Sequence, residues 1–274
     1  LIDEFLTGYY GAAGAPLRRY LDHLHDAAEE SGVFLRCYMS DTTTWLSLDD
    51  LNTAWDLFER AVGAVADDPV LRERVLRERL TLEHASLQRD SAIRRRARKS
   101  GIAFRGPSDP VAACQSFVDM ARKHGVTQYA EGRPFEPYAE MLLSRFSGPA
   151  SPPAACQGLR DEDWMDFQEV DLRLHGPGKW VFVEDDPAAS NGKTCRMPGN
   201  HPQWAVQMPI SADVADEKPW EVVLSVRCDL DQPAGRGALA DTRQGHGRLP
   251  AAEPAPVPDV GLAQRQGRLR CRPP

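Results

Sequence analysis

The spacing of apolar residues changes once along the chain, and this change limits the folds that the sequence can adopt. Before residue 148, apolar residues recur every three or four positions, as on the buried face of a helix. After residue 158 they alternate with polar residues, as in half-buried β-strands. The sequence therefore predicts an α+β, multidomain protein, and 274 residues are enough for two domains. We expect a helical, bundle-like domain over 1–147, a Pro- and Gly-rich linker over 148–158, an antiparallel β-sandwich over 159–229 and a low-complexity tail over 230–274.

Capping residues mark several helix starts in the first stretch. Ser47 stands three residues before Asp50, a spacing typical of a capping box, and Asp–Pro pairs occur at 68–69 and 109–110. Together with a helix after Pro16 and a last helix over 134–146, these signals predict five helices with short connections, which indicates an antiparallel bundle. The buried stripe of the helix after Pro110 is predicted to consist of Val111, Cys114, Phe117, Val118 and Ala121.

Four or five short strands are predicted in the third stretch. Apolar and polar residues alternate around 170–174, 180–183, 204–210 and 222–228, and turn sequences rich in Gly, Pro, Asn and Asp separate these segments. This pattern is typical of a β-sandwich. Because the alternation stops near residue 229, we expect the sandwich to be truncated. The predicted strands carry three tryptophans that we expect to pack in its core, namely Trp180, Trp204 and Trp220.

The tail has an unusual composition. Gly, Ala, Arg and Pro make up more than half of residues 230–274, and Phe, Tyr, Trp, Ile, Met, Lys, Asn and Ser do not occur there. A frameshift in a G/C-rich gene and a disordered low-complexity segment both explain this bias. We favour the frameshift, because the strand pattern ends before a sandwich would be complete. In either case the tail is expected not to fold, since it cannot bury enough apolar surface.

Charge and missing motifs exclude several classes of function. The formal net charge of −7 argues against nucleic acid as the main partner, because binding phosphates requires a basic surface. No run of 18 apolar residues occurs, so no membrane span is predicted. The sequence also lacks a nucleophile elbow, a P-loop, a dinucleotide-binding motif and an HExxH motif. No catalytic residue is predicted, and His84 and the basic run 94–99 are expected to be solvated helix residues.

Aromatic side chains are candidate contacts if the ligand is a sugar, because the apolar faces of sugars stack on aromatic rings. Tyr9 and Tyr10 are adjacent and precede a glycine. Trp164 is expected to be exposed at the start of the third stretch, and Trp204 is a candidate on a predicted strand. For the tyrosines, packing against a preceding domain is the alternative to contact with a sugar. For Trp204 the alternative is packing in the core.

A cation site is a second hypothesis. Asp185 and Asp186 follow a predicted strand and come just before a turn that contains Asn191. Carboxylate and amide oxygens are ligands that Ca²⁺ takes in protein loops. A structural Ca²⁺ site and a purely turn-stabilising role both remain open, and no other cofactor is predicted.

Two groups of short motifs are shared with a known family. The motifs are FLTGYYG at 5–11, WDLFERA at 55–61, LRERV at 71–75, DDPAASNG at 185–192, HPQWAVQ at 201–207 and WEV at 220–222. With them, residues 1 to about 229 resemble an uncharacterised bacterial domain family that follows α-glucuronidase-like glycoside hydrolase barrels. The later motifs resemble the terminal β-sandwich of such proteins, which is similar to carbohydrate-binding modules.

The resemblance implies a secreted or periplasmic protein that degrades polysaccharides, with its catalytic barrel preceding this chain. Leu1 fits that expectation, because the opening residues read like the middle of an element. The expected partners are then the barrel, which the helical domain supports, and a polysaccharide or oligosaccharide. No catalytic residue is transferred to this sequence, since those of the family lie in the barrel. The alternative is a non-catalytic carbohydrate-binding or cell-surface interaction protein.

Overall fold

The chain combines α-helices with short antiparallel strands, so the α+β class is confirmed. The computed structural model describes residues 1–36, 41–147, 154–160, 163–189, 192–198, 204–208, 221–224 and 269–272. Residue contacts divide the chain into two compact units. Residues 1–146 belong to the first unit, and the described residues from 147 onward belong to the second.

Helices dominate the first unit. Its described residues contain seven α-helices: α1 (Ile2–Tyr10), α2 (Gly14–Glu30), α3 (Leu48–Ala64), α4 (Pro69–Gln88), α5 (Asp90–Ser100), α6 (Pro110–Lys123) and α7 (Phe135–Phe146). Between α6 and α7 the chain forms a small antiparallel ribbon of β1 (Gln128–Ala130) and β2 (Arg133–Pro134). The five predicted helices correspond to α2, α3, α4, α6 and α7. Within the described part of the chain, no helix is long and apolar enough to cross a membrane.

Side-chain caps explain where three of these helices begin. Ser47 Oγ accepts a hydrogen bond from the N–H of Asp50, and the Asp50 carboxylate accepts one from the N–H of Ser47, which confirms the capping box of α3. Asp68 and Asp109 each accept two backbone N–H groups at the starts of α4 and α6. These caps satisfy N–H groups that the helices themselves leave without partners.

The predicted stripe of α6 needs one correction. Cys114, Phe117, Val118 and Ala121 are buried as expected, but Val111 is 54% exposed. The buried face of α6 therefore begins one turn after its first residue, because the apolar cluster does not extend to the capped end of the helix.

Helices α1 and α5 are the ones that the sequence does not predict. No side chain caps α1 at Leu1, so the usual start signal is missing. In α5 the buried residues include Ile93 and also Arg95, which is only 3% exposed. A buried arginine interrupts the apolar pattern from which a helix face is recognised. The prediction that the basic run 94–99 is a solvated helix end is confirmed for Arg96, Arg98 and Lys99, which are exposed towards the end of α5. It is wrong for Arg95, which is buried.

Two apolar clusters form the interior of the first unit. One lies among α1 to α5 and includes Leu51 and Phe58, neither of which is exposed. The other lies among α4, α6 and α7 and is built around Phe135 and Leu142. Helix α4 contributes to both, so it forms a wall shared by the two clusters.

The second unit is built from short strands. They are β3 (Met165–Phe167), β4 (Arg173–Leu174), β5 (Phe182–Asp185), β6 (Lys193–Arg196), β7 (Val206–Gln207), β8 (Glu221–Leu224) and β9 (Leu269–Arg272). In the described residues, β3, β9 and β8 form a three-stranded antiparallel sheet with β9 in the middle, while β4 pairs with β7 and β5 with β6. The β-sandwich therefore stays a prediction.

Strand β9 lies in the tail, where the sequence predicts no folded structure. The structure does not agree with that prediction for residues 269–272, which pair with both β3 and β8. Apolar and charged residues alternate over these four positions, which is the period of a strand. The composition of the whole tail conceals this short pattern. The rest of the tail lies outside the described residues, as does Trp220.

Candidate functional site

The first unit contains a pocket of about 210 Å³ between four of its helices, which we call the interhelical pocket. Residues of α3, α4, α5 and α6 line it, together with the segment 101–109 that connects α5 to α6. Its side chains include Trp55, Arg79, Glu83, Ser86, Asp90, Arg94, Phe104 and Ser116. All of them belong to the first unit, so the pocket is complete within it.

Two aromatic rings form the apolar part of the interhelical pocket. Trp55 is 3% exposed, and its indole Nε1 donates a hydrogen bond to Ser86 Oγ at 3.1 Å. Phe104 packs against the same apolar cluster as Trp55. A Cβ added at Gly106 would lie 2.8 Å from Trp55 Nε1 and would also collide with the Phe104 ring. A glycine at 106 therefore lets the connecting segment approach the indole closely.

Two arginine–carboxylate pairs form the polar part of the pocket. Arg79 Nε lies 2.9 Å from Glu83 Oε1, and Arg94 Nε lies 2.9 Å from Asp90 Oδ1. The Arg79 guanidinium is 5.6 Å from the centroid of the Trp55 ring, within the range of a cation–π contact. The Arg94 guanidinium is similarly placed, 5.7 Å from the centroid of the Phe104 ring. Each pair therefore places its guanidinium group over one of the aromatic rings of the pocket.

The pocket carboxylates are partly removed from water. The side chains of Glu83 and Asp90 are 13% and 12% exposed. Burial raises the pKa of Glu83, and the neighbouring Arg79 opposes that rise. Burial likewise raises the pKa of Asp90, against the effect of Arg94. Additional hydrogen-bond donors stabilise partly buried carboxylates such as those of Glu83 and Asp90. The pocket is therefore suited to a small ligand that carries hydroxyl groups.

His84 is half-buried in α4 and contacts α6 and α7, so the prediction that it is exposed is wrong. Its Nε2 is 2.6 Å from the hydroxyl oxygen of Tyr138, and its ring stacks on Phe117 at 5.8 Å. Burial lowers the pKa of His84 and raises that of Tyr138 to about 12. The histidine therefore joins α4 to α6 and α7 as a neutral side chain. The spacing in the sequence contains a signal for this role, because Leu80 and Leu87 lie four residues before and three residues after His84, on the same helix face.

The two tyrosines predicted as sugar contacts pack within their own unit. Tyr10 is 5% exposed in the first apolar cluster, and burial raises its pKa, so its ring offers no open face to a sugar. Tyr9 is half-buried, with the Phe5 ring stacked on it at 5.5 Å and the Arg74 guanidinium 4.3 Å from its centroid. These contacts hold both rings within the first unit, and packing against a preceding domain stays a prediction.

The two tryptophans predicted as sugar contacts lie in the second unit. Both Trp164 and Trp204 are half-buried. The expected exposure of Trp164 is thus only partial, and its indole nitrogen is buried. The Trp204 ring lies 4.9 Å from the ring of His175. Their contact with sugar stays a prediction.

The predicted cation loop is described in part. The Asp185 carboxylate pairs with Lys193 Nζ at 2.5 Å, while Asp186 is 5% exposed and accepts the N–H of Ala188 at 2.9 Å. These bonds fit a turn-stabilising role. Asn191 lies outside the described residues, and among the residues that are described no group of three His, Cys, Asp or Glu side chains is arranged to hold a metal ion. The Ca²⁺ site stays a prediction.

Comparisons with known proteins do not identify the chain: no protein-family model, no curated protein and no solved structure matches it. The interhelical pocket is therefore interpreted from its own geometry.

Proposed function

We propose that this chain is a carbohydrate-binding part of a glycoside-hydrolase-like protein that degrades polysaccharides. In this proposal the first unit binds one sugar residue in the interhelical pocket and supports a catalytic barrel. The second unit forms a sandwich similar to a carbohydrate-binding module. The protein is secreted or periplasmic in this proposal, because polysaccharides are encountered there. The observation that carries the proposal is the combination of the half-buried Phe104 ring with paired arginines and carboxylates in one pocket, whose wall includes the buried Trp55.

This combination matches the chemistry of a sugar ring. A pyranose has an apolar C–H face that packs on an aromatic ring, and hydroxyl groups around its edge that both donate and accept hydrogen bonds. Carboxylates accept from such hydroxyls and guanidinium groups donate to them. At about 210 Å³ the pocket is smaller than the ~300–1,000 Å³ typical of sites for drug-sized ligands. A single sugar residue, or the end of a longer chain, is therefore the proposed ligand.

The same geometry favours binding over hydrolysis at this site. A glycosidase needs one carboxyl group to deliver a proton and a second to act as base or nucleophile. Glu83 and Asp90 are each held by an arginine four residues away in sequence. We assign them the role of hydrogen-bond acceptors for hydroxyl groups. The alternative function, a non-catalytic carbohydrate-binding protein without an active barrel, would use the same pocket. Measuring whether the longer protein that contains this chain cleaves glycans distinguishes the two functions.

Filling the pocket tests the proposal. Ser116 lies on the exposed side of α6 and lines the pocket, so Ser116→Phe places a ring in the ligand space without removing a core side chain. We expect this variant to weaken binding of the full chain to its best glycan at least tenfold, measured by calorimetry after screening a glycan panel.

Ala112→Phe is the matched control, because Ala112 is also exposed on α6 but does not line the pocket. We expect its affinity to match that of the parent chain. Equal binding by both variants would place the sugar elsewhere, and failure of the folded parent chain to bind any glycan would contradict the proposal itself.

A further inference from the structure

We infer that the interhelical pocket selects a neutral sugar residue over a uronic acid. This inference rests on the proposed function and specifies its ligand class. The arginines and carboxylates that line the pocket are already paired with one another.

The guanidinium groups of the pocket have acidic or carbonyl partners inside the protein. Arg79 pairs with Glu83 through Nε and with Glu59 through Nη1, at 2.9 and 3.2 Å. Arg94 pairs with Asp90 through Nε, and its Nη2 donates to the carbonyl oxygen of Pro107 at 2.6 Å. Three carboxylates are thus paired with the two guanidinium groups that line the pocket, and one of the three, Glu59, is largely exposed. A ligand carboxylate would have to displace one of these partners or lie beside it.

The degree of burial makes a further negative charge unfavourable. Arg79 and Arg94 have side chains that are only 20% and 23% exposed, and their acidic partners in the pocket are more buried still. Repulsion between like charges is weakly screened in such a place. A uronate would bring its carboxylate close to Glu83 and Asp90, with which the two arginines that line the pocket are already paired. Arg98 and Arg145 also lower the pKa of Asp90, but they do not line the pocket. Binding a uronate is therefore expected to cost affinity relative to a neutral sugar.

Neutral hydroxyl groups meet no such penalty. A carboxylate has more acceptor positions than one arginine uses, so Glu83 and Asp90 can accept from a sugar hydroxyl while they remain paired. The half-buried Phe104 ring supplies the apolar contact for the sugar, and the buried Trp55 forms part of the pocket wall. Every interaction proposed here is between a neutral ligand and a site whose lining arginines and carboxylates are already paired. Affinity for the neutral ligand should consequently depend little on salt.

Calorimetry with the full chain tests the inference on paired probes. We would titrate neutral xylo-, cello- and manno-oligosaccharides alongside oligogalacturonate and oligoglucuronate of equal length. We expect the best neutral ligand to bind at least about tenfold more tightly than the best uronate, and its affinity to change less than about twofold between ~50 and ~500 mM NaCl. The salt measurement needs only the parent chain, so it stands even where a variant folds poorly.

A charge variant sharpens the test. Glu83→Gln keeps the size of the side chain but removes the carboxylate that Arg79 contacts, so we expect uronate affinity to rise at least about fivefold. Glu140→Gln, an exposed position on α7 away from the pocket, should leave the preference unchanged. Tighter binding of uronates by the parent chain would overturn the inference and leave the proposed function standing. Absence of binding to any sugar would overturn both.

Discussion

Replacing Phe58 by alanine should lower the free energy of unfolding of the chain by about 3–5 kcal/mol. Phe58 lies at the centre of the first apolar cluster and is not exposed to solvent. Its ring meets that of Tyr20 edge-on, at a centroid distance of 4.6 Å. Alanine removes the apolar surface that the ring buries and leaves a cavity that close-packed neighbours can fill only in part. Urea denaturation followed by circular dichroism at the helix band measures the change.

Phe34→Ala is the control for this prediction. Phe34 is 83% exposed, so the same chemical change should alter the free energy of unfolding by no more than about 0.5 kcal/mol. Similar losses for the two variants would mean that α1 to α5 do not form the described core. The interhelical pocket would then lose the framework that positions Trp55.

Acidification should destabilise the first unit through His84. Because burial lowers the pKa of this histidine, the unfolded chain takes up its proton first, at about the ordinary pKa of 6.5. The contribution of His84 to the free energy of unfolding is therefore fully present above pH 6.5. It decreases as the pH falls towards the lower pKa of the folded state. The loss is at most about 1.4 kcal/mol per pH unit. The protonated His84 ring would face the side-chain amide of Gln88. The positive charge of Arg145 is also close enough to lower the pKa of the neighbouring Tyr138 hydroxyl.

His84→Gln isolates this effect, since glutamine can bond to Tyr138 but does not titrate. We expect the free energy of unfolding of the parent chain to decrease more between pH 7.5 and pH 5.5 than that of the variant, by up to about 1.4 kcal/mol. The raised pKa values of Glu83 and Asp90 act in the opposite direction, because the folded state then binds their protons more readily. Both proteins share that contribution. Parallel pH profiles would show that His84 is not buried as described.

Local signals predict the helices of this chain well where they are strong. Ser47, Asp68 and Asp109 each cap the helix that they were expected to cap, because a cap involves only residues two or three positions away. Helix α5 carries weaker signals, since its buried face includes Arg95. The strand at 269–272 is hidden in the same way, by an arginine-rich composition averaged over the whole tail.

The candidate site could not be predicted from these signals, because it arises from packing. Arg79 with Glu83, and Asp90 with Arg94, look in sequence like ordinary ion pairs one helical turn apart. Only the arrangement of α3, α4, α5 and α6 brings these ion pairs around Trp55. The residues that line the pocket are spread over positions 55 to 116. Conversely, Tyr9 and Tyr10 stand out in the sequence, yet the fold uses them largely for packing. Aromatic residues indicate a site only once the fold shows which of their faces are open.

The most direct test of the account is the indole N–H resonance of Trp55 during a titration with a neutral oligosaccharide. The chain has six tryptophans, and comparison with Trp55→Phe identifies the resonance in a proton–nitrogen correlation spectrum of the full chain. Because this N–H donates to Ser86 Oγ at the pocket wall, a sugar in the pocket should shift its resonance in a saturable way. Saturable shifts confined to other indoles, such as those of Trp164 and Trp204, with Trp55 unchanged, would contradict the account and place sugar binding in the second unit.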